Sequence, residues 1–114
     1  MKVRAINDKI FQLIGLSKRA GKLVSGAYTV EQSIKSGKAQ LVIISQDASL
    51  NTMKKFTEMC RHRKIDIIKL GSKQDLGQSI GKPARTLLAI TDLSFKDLIL
   101  NELALTTKNM GVIE

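Results

Sequence analysis

Histidine, cysteine and proline each occur once in this chain, and tryptophan is absent. A single cysteine excludes an internal disulfide and fits a reducing compartment. Cys60 falls on the apolar stripe Met53, Phe56, Cys60 and reads as a buried structural thiol rather than a nucleophile. His62, between Arg61 and Arg63, reads as part of a solvated basic helix edge. Cys60 and His62 stand two apart on a helix and point to different sides, so they form no Cys–His pair. One histidine and one cysteine cannot assemble a usual zinc site. The ten carboxylates are scattered, with no pair at helical spacing suited to acid–base work. No metal, no cofactor and no catalytic set is therefore expected, and an enzyme acting on small anions is the weakest reading. No apolar run approaches the roughly 20 residues of a membrane span. The first eight residues, MKVRAIND, lack the apolar core of a signal peptide, so a cytoplasmic location is expected.

What the chain does have is positive charge. Its 114 residues, enough for one domain with its own core, carry a formal net charge of +9. Residues 1–40 hold eight cations and two acids, residues 41–80 seven and four, and residues 81–114 four and four. Such asymmetry on a small domain points to a polyanionic partner, most often nucleic acid.

The apolar pattern alternates between periods. Ile6, Ile10, Leu13 and Ile14 mark a helix over about 5–20, closed by Gly21. Leu23-Val24 is a short strand, and Ala27, Val30 and Ile34 stripe a second helix that stops at Gly37. Leu41–Ile44 reads as a buried strand. Ser49 can cap a third helix to about Arg63, with Leu50, Met53, Phe56 and Cys60 facing inward. Ile65–Ile68 is another strand, and Ser72 with Asp75 resembles a capping box opening a fourth helix to Gly81. Thr86–Ile90 is a strand apolar on both faces, and Ser94 with Asp97 marks the start of a last helix. This alternation predicts an α/β fold with a central sheet covered by helices on both faces. One domain over 1–105 is expected, with a C-terminal tail, 106–114, that loses its periodicity and frays.

Residues 18–26, Lys-Arg-Ala-Gly-Lys-Leu-Val-Ser-Gly, combine three cations with a glycine at a helix start. Unpaired N–H groups at such a start attract anions, so Lys18, Arg19 and Lys22 beside Gly26 suggest a phosphate corner. The other reading is a helix closed by a glycine cap, its cations complementing the dipole. Gly21 and Gly26 have Walker A spacing, but Ala27-Tyr28 follows where that loop needs Lys-Ser/Thr. Exposed stacking aromatics, a G-x-x-G clamp and uninterrupted helix pairs are all wanting. Sheet-surface RNA binders, KH modules and helix-turn-helix readers are disfavoured accordingly. Helix starts and loops at one end of the sandwich remain as the reading surface.

Two strings carry a family resemblance. One runs Ser25-Gly26-Ala27-Tyr28-Thr29-Val30 and on to Gly37-Lys38-Ala39-Gln40 before the strand at Leu41; the other is Ser72–Lys82, with its Lys-x-x-Leu-Gly pattern. With the order of elements, they resemble the ribosomal-protein superfamily that binds kink-turn RNA, and its bacterial YlxQ-like members most of all. The resemblance covers about residues 6–100. It implies a three-layer α/β/α sandwich with a four-stranded mixed sheet. It also implies that RNA meets the start of the second helix and the loop before the last strand. On this chain those positions are Gly26, Ala27, Tyr28, Thr29 and Gln32, with Lys73, Lys82, Arg85 and Thr86. Gly26 would admit close approach of RNA to the backbone. Tyr28 and Thr29 stand where relatives place Asn or Lys and then Glu or Gln, and Gln32 where they often place Lys. The resemblance thus implies altered reading of guanine edges, with Tyr28 either stacked on an unpaired base or half-buried near Val24. Pro83 would stiffen the 82–86 loop.

The expectation is a non-catalytic, monomeric RNA-binding protein that recognises structured RNA such as ribosomal RNA, with ribosome association as a corollary. The alternative is a protein-interaction module on the same fold that has lost kink-turn recognition, which a contiguous apolar patch would favour over a basic rim around Gly26.

Overall fold

The computed structural model describes the backbone of residues 2–113 and the side chains of residues 8–106. Nine elements follow in strict alternation: α1 (Lys2–Arg19), β1 (Leu23–Ser25), α2 (Ala27–Lys35), β2 (Leu41–Ile44), α3 (Leu50–Arg63), β3 (Asp66–Lys69), α4 (Lys73–Ser79), β4 (Leu87–Ile90) and α5 (Leu93–Ile113).

Local chemistry sets most boundaries. Ile10, Ile14 and Ser17 fall on one face of α1 and are fully buried; the Ile6 side chain lies outside the described residues. Gly21 closes α1 at φ 74°, its N–H bonding the Lys18 carbonyl while the Lys22 N–H bonds that of Ser17. Glycine takes this left-handed turn without a Cβ clash. The Ser49 hydroxyl accepts from the Thr52 N–H at 3.1 Å and caps α3. At the other end of α3, Lys64 adopts φ 58° and ψ 42°. It is the only non-glycine residue with positive φ among those described, in a conformation that disfavours a Cβ by about 1 kcal/mol. The capping box at α4 is complete: Ser72 Oγ accepts from the Asp75 N–H at 3.0 Å, and Asp75 Oδ2 from the Ser72 N–H at 3.1 Å.

Three sequence expectations are corrected. Leu50 does not face inward but is 87% exposed, because the chain enters α3 there and the buried stripe begins later, with Phe56 and Cys60 fully inside. The last helix starts at Leu93, and Asp92 rather than Ser94 caps it, accepting from the Phe95 N–H at 2.9 Å. A carboxylate at that position also complements the helix dipole. Helical backbone continues past Thr106, where periodicity lapses, and the Thr106 side chain is itself buried.

The sheet has the order β1-β4-β2-β3, with β4 antiparallel to both β1 and β2, and β2 parallel to β3. Alternation sends Leu41, Ile43, Leu88 and Ile90 to one face, where Ile10 and Ile14 of α1, Leu76 of α4 and Ile99 of α5 cover them. Val42, Ile44, Leu87 and Ala89 point the other way, under Val30 and Ile34 of α2 and Phe56 and Cys60 of α3. Every residue of β2 and β4 is buried, as a strand covered on both faces requires. Burial of each large aliphatic side chain stabilises the fold by roughly 1.5–3 kcal/mol. The structure is therefore a three-layer α/β/α sandwich on a four-stranded mixed sheet.

Register decides which turns share an end. Ser25, Ile44 and Lys69 finish their strands beside Leu87, where β4 begins. Leu23, Leu41 and Asp66 begin theirs beside Ile90, where β4 finishes. The starts of α2 and α3 and the loop into β4 thus gather at one end of the sheet. The ends of α1, α2 and α3 gather at the other.

Candidate nucleic-acid interface

Gly26 joins two parts of the first of these ends. Its N–H donates to the Leu87 carbonyl at 2.9 Å, and its own carbonyl accepts from the Val30 N–H at 2.9 Å, opening α2. Gly26 holds φ 97° and ψ 147° and caps α2 without any side-chain hydrogen bond. This backbone region is essentially restricted to glycine. The N–H groups of Ala27, Tyr28 and Thr29 have no acceptor among the described residues, so the positive end of α2 opens to solvent. Tyr28 is 76% exposed, which overturns the half-buried alternative and leaves its ring faces open. Thr29 is exposed beside it, and Gln32 is exposed one turn on, on the Tyr28 side of the helix.

The loop before β4 is tied to the turn after β2 and to the start of α4. The Ser45 N–H donates to the Thr86 carbonyl at 2.9 Å and the Arg85 N–H to the Lys73 carbonyl at 2.9 Å. The Lys73 N–H donates in turn to Asp47 Oδ1 at 3.0 Å. Gly77 makes the loop's path possible. A Cβ there would stand 2.1 Å from the Pro83 carbonyl oxygen and 2.9 Å from that of Lys82. The Lys82 N–H also bonds the Gly77 carbonyl at 2.9 Å. The Leu-Gly pair of the Lys-x-x-Leu-Gly string is thus explained: Leu76 fills the core and Gly77 lets the loop lie against α4. Lys73 and Lys82 project into solvent, while the Arg85 guanidinium folds back on its own loop, donating to the Ala84 carbonyl at 3.0 Å.

Sequence reasoning missed Asp47 and Gly77 as organisers of this face. The Asp47 carboxyl is held below its usual value, by the Ser45 hydroxyl first and also by the Lys73 N–H and ammonium. Gly77 lies inside the Ser72–Lys82 string, but its role depends on a loop six residues later in the chain. Asp47 carries no local signal, since its partner is 26 residues away.

Lys18, Arg19 and Lys22 are not brought to this face. The Lys22 carbonyl accepts from the Thr91 N–H at 2.9 Å, at the far end of β4. Four extended steps separate Lys22 from Gly26, about 13 Å, which exceeds the screening length of about 8 Å at physiological salt. Arg19 lies back over α1, its guanidinium 3.7 Å from where a Cβ of Gly15 would stand. The 18–26 stretch is therefore split between the two ends of the sheet.

Among the described residues no group of three or more His, Cys, Asp or Glu side chains could hold a metal ion, and His62 is exposed. Burial pushes the Cys60 thiol up to about 11, keeping it protonated and inert at neutral pH.

Comparison with known proteins agrees with this architecture. RNA-binding protein YlxQ of Bacillus subtilis (strain 168) is 43% identical over 91 residues, 80% of this chain and 91% of that protein. A solved structure of a protein with unknown function from Bacillus halodurans superposes with a TM-score of 0.81 at 32% identity, covering 84% of this chain and 97% of that one. A 15.5 kD RNA-binding protein of Giardia lamblia shares the fold, with a TM-score of 0.71 at 20% identity over 96% of this chain and 91% of its own. The family model matches residues 8–99, so the chain belongs to the ribosomal protein L7Ae/L30e/S12e/Gadd45 family.

Proposed function

We propose that this protein binds structured RNA, acting as a monomer without catalysis, and that its main contact face is the end of the sheet where α2 begins. One observation carries the reading: the Gly26–Leu87 hydrogen bond fastens an uncapped helix start to the first residue of β4, where the loop 82–86 ends, and Tyr28 stands exposed on that helix start. Phosphates would settle on the free N–H groups of Ala27 to Thr29 and on Lys73 and Lys82. A base displaced from an irregular or kinked element would stack on Tyr28, with Thr29 and Gln32 bonding base edges. Ribosomal RNA supplies elements of this kind, and membership of a ribosomal-protein family together with the likeness to RNA-binding protein YlxQ supports the partner class.

Leu50, at the start of α3, is also solvent-facing at this end. The remaining large exposed apolar side chains, Leu16, Leu93, Leu98 and Leu105, belong to α1 and α5 and not to this end's loops. The test is crosslinking in cells, followed by sequencing of the bound RNA, with the native chain and Tyr28→Ala. Stacking on one base is worth roughly 1–3 kcal/mol, so recovery of a defined RNA set should fall about 5- to 100-fold. Equal recovery from both proteins would count against the face.

A further inference from the structure

The far end of the sheet carries its own basic rim. The α2 and α3 ends meet there: Arg63 Nη1 donates to the Lys35 carbonyl at 3.0 Å, and Arg63 and Lys64 share a shallow cleft with Gly37 and Gln40. Lys38 stands exposed on the adjoining turn, Arg61 one turn away, and Lys22 across the sheet end. Lys35 pairs with Glu31 at 2.9 Å, and Arg61 reaches Glu58 only at 3.9 Å. Among the described residues, Lys22, Lys38, Arg63 and Lys64 have no carboxylate within 4 Å. Asp66, the nearest acid of β3, is engaged by Lys96 at 3.3 Å, and Asp92 by the Phe95 N–H.

Complementing helix dipoles does not account for this. Three helix C-termini carry roughly half a negative charge each, about −1.5 together, against the four cations Lys22, Lys38, Arg63 and Lys64 that have no carboxylate partner among the described residues. Lys64 adds an independent sign. It occupies the left-handed position after α3 where glycine is the relaxed choice, so the cation stands there at a conformational cost. The large exposed apolar side chains nearest this end, Leu16 and Leu93, belong to α1 and α5 on one face of the sheet, whereas Lys35, Arg61 and Arg63 belong to α2 and α3 on the other.

The geometry points to a second RNA-contacting surface formed by Lys22, Lys35, Lys38, Arg61, Arg63 and Lys64, which holds the phosphate backbone of a duplex segment independently of sequence. It takes from the proposed function only the class of partner. The two surfaces stand about the length of the nine-residue α2 apart, so the protein would read an irregular element at one end of the sheet and grip the adjoining regular helix at the other.

The test uses the full chain and a uniform RNA duplex of about 20 base pairs without loops or mismatches. Lys38→Gln, Arg61→Gln and Lys64→Gly are combined in one variant. None of these side chains is buried, and glycine relaxes position 64, so its melting temperature should not fall. Loss of three phosphate contacts should lower duplex affinity at least tenfold near 100 mM salt and reduce the log–log salt slope by about 2 to 3. Tyr28→Ala should leave duplex affinity unchanged while weakening binding to an RNA with an internal loop, so the two surfaces fail separately. An unchanged affinity and slope in the triple variant would overturn the rim, as would duplex binding abolished by Tyr28→Ala. No duplex binding by the native chain, or preference for anionic vesicles over duplex, would overturn it equally.

Discussion

Substitution at Gly26 separates conformational strain from charge at the proposed RNA face. Nothing lies within 4 Å of a Cβ placed at Gly26, so no steric clash opposes a side chain. At φ 97° and ψ 147°, however, any L-residue is strained by roughly 1–3 kcal/mol. Gly26→Ala and Gly26→Glu should share that destabilisation in thermal melts. Glu should recover a few tenths to 1 kcal/mol of it, because its carboxylate complements the positive end of α2. Binding should order the two variants the other way. A carboxylate about 6 Å from one phosphate costs about 0.7 kcal/mol at the dielectric of water and about 2.8 kcal/mol at an effective constant near 20. Gly26→Glu should therefore bind a structured RNA with an internal loop between about 3- and 100-fold more weakly than Gly26→Ala. Fluorescence anisotropy, at a temperature where both variants are folded, reads the difference. Equal affinities for the alanine and glutamate variants would refute an anion site at this helix start, whatever either does to stability.

Other consequences follow from packing and ionisation. Gly77→Ala should destabilise the fold by about 1–3 kcal/mol or more in chemical denaturation, because the new methyl meets the Pro83 backbone and must displace the 82–86 loop. RNA affinity should fall with it, and a variant of native stability would show that the loop yields freely. Cys60 should resist a disulfide-exchange reagent at pH 8 in the native protein and react fully once denaturant is added. Its folded value, raised by burial to about 11 from an ordinary 9.0, favours the folded state below pH 9. That contribution is lost as pH climbs through 11, a loss that Cys60→Ala should remove from the alkaline melting profile. Leu50→Lys should change stability by less than about 0.5 kcal/mol despite removing a large apolar residue, since Leu50 is 87% exposed; a drop like that of a core leucine would contradict its placement.

Much of the fold was legible in the chain because the forces behind it are local. The β-branched run Leu41–Ile44, the glycines at 21 and 37, and the Ser72–Asp75 box each act within a few residues and mark their elements directly. Leu50 was misread because periodicity shows which residues share a helix face, not how far a neighbouring layer extends over it. Asp92 was passed over for Ser94 because both can cap, and only the chain's path out of β4 chooses between them.

The site divides along the same line. By itself, the sequence determined that a basic α/β domain would offer a glycine-led helix start, and that Tyr28 and Thr29 would stand in it. Tertiary structure alone decided its companions. Gly26 meets the 82–86 loop through β4, a strand more than sixty residues away along the chain, whereas Lys22 is four residues off and at the opposite end of the sheet. An extended strand carries its two ends apart by about 3.3 Å per residue, so even three residues of β1 suffice to separate neighbours in sequence. Strand pairing then joins segments that no local pattern connects. It turned one suspected phosphate corner into two separate faces.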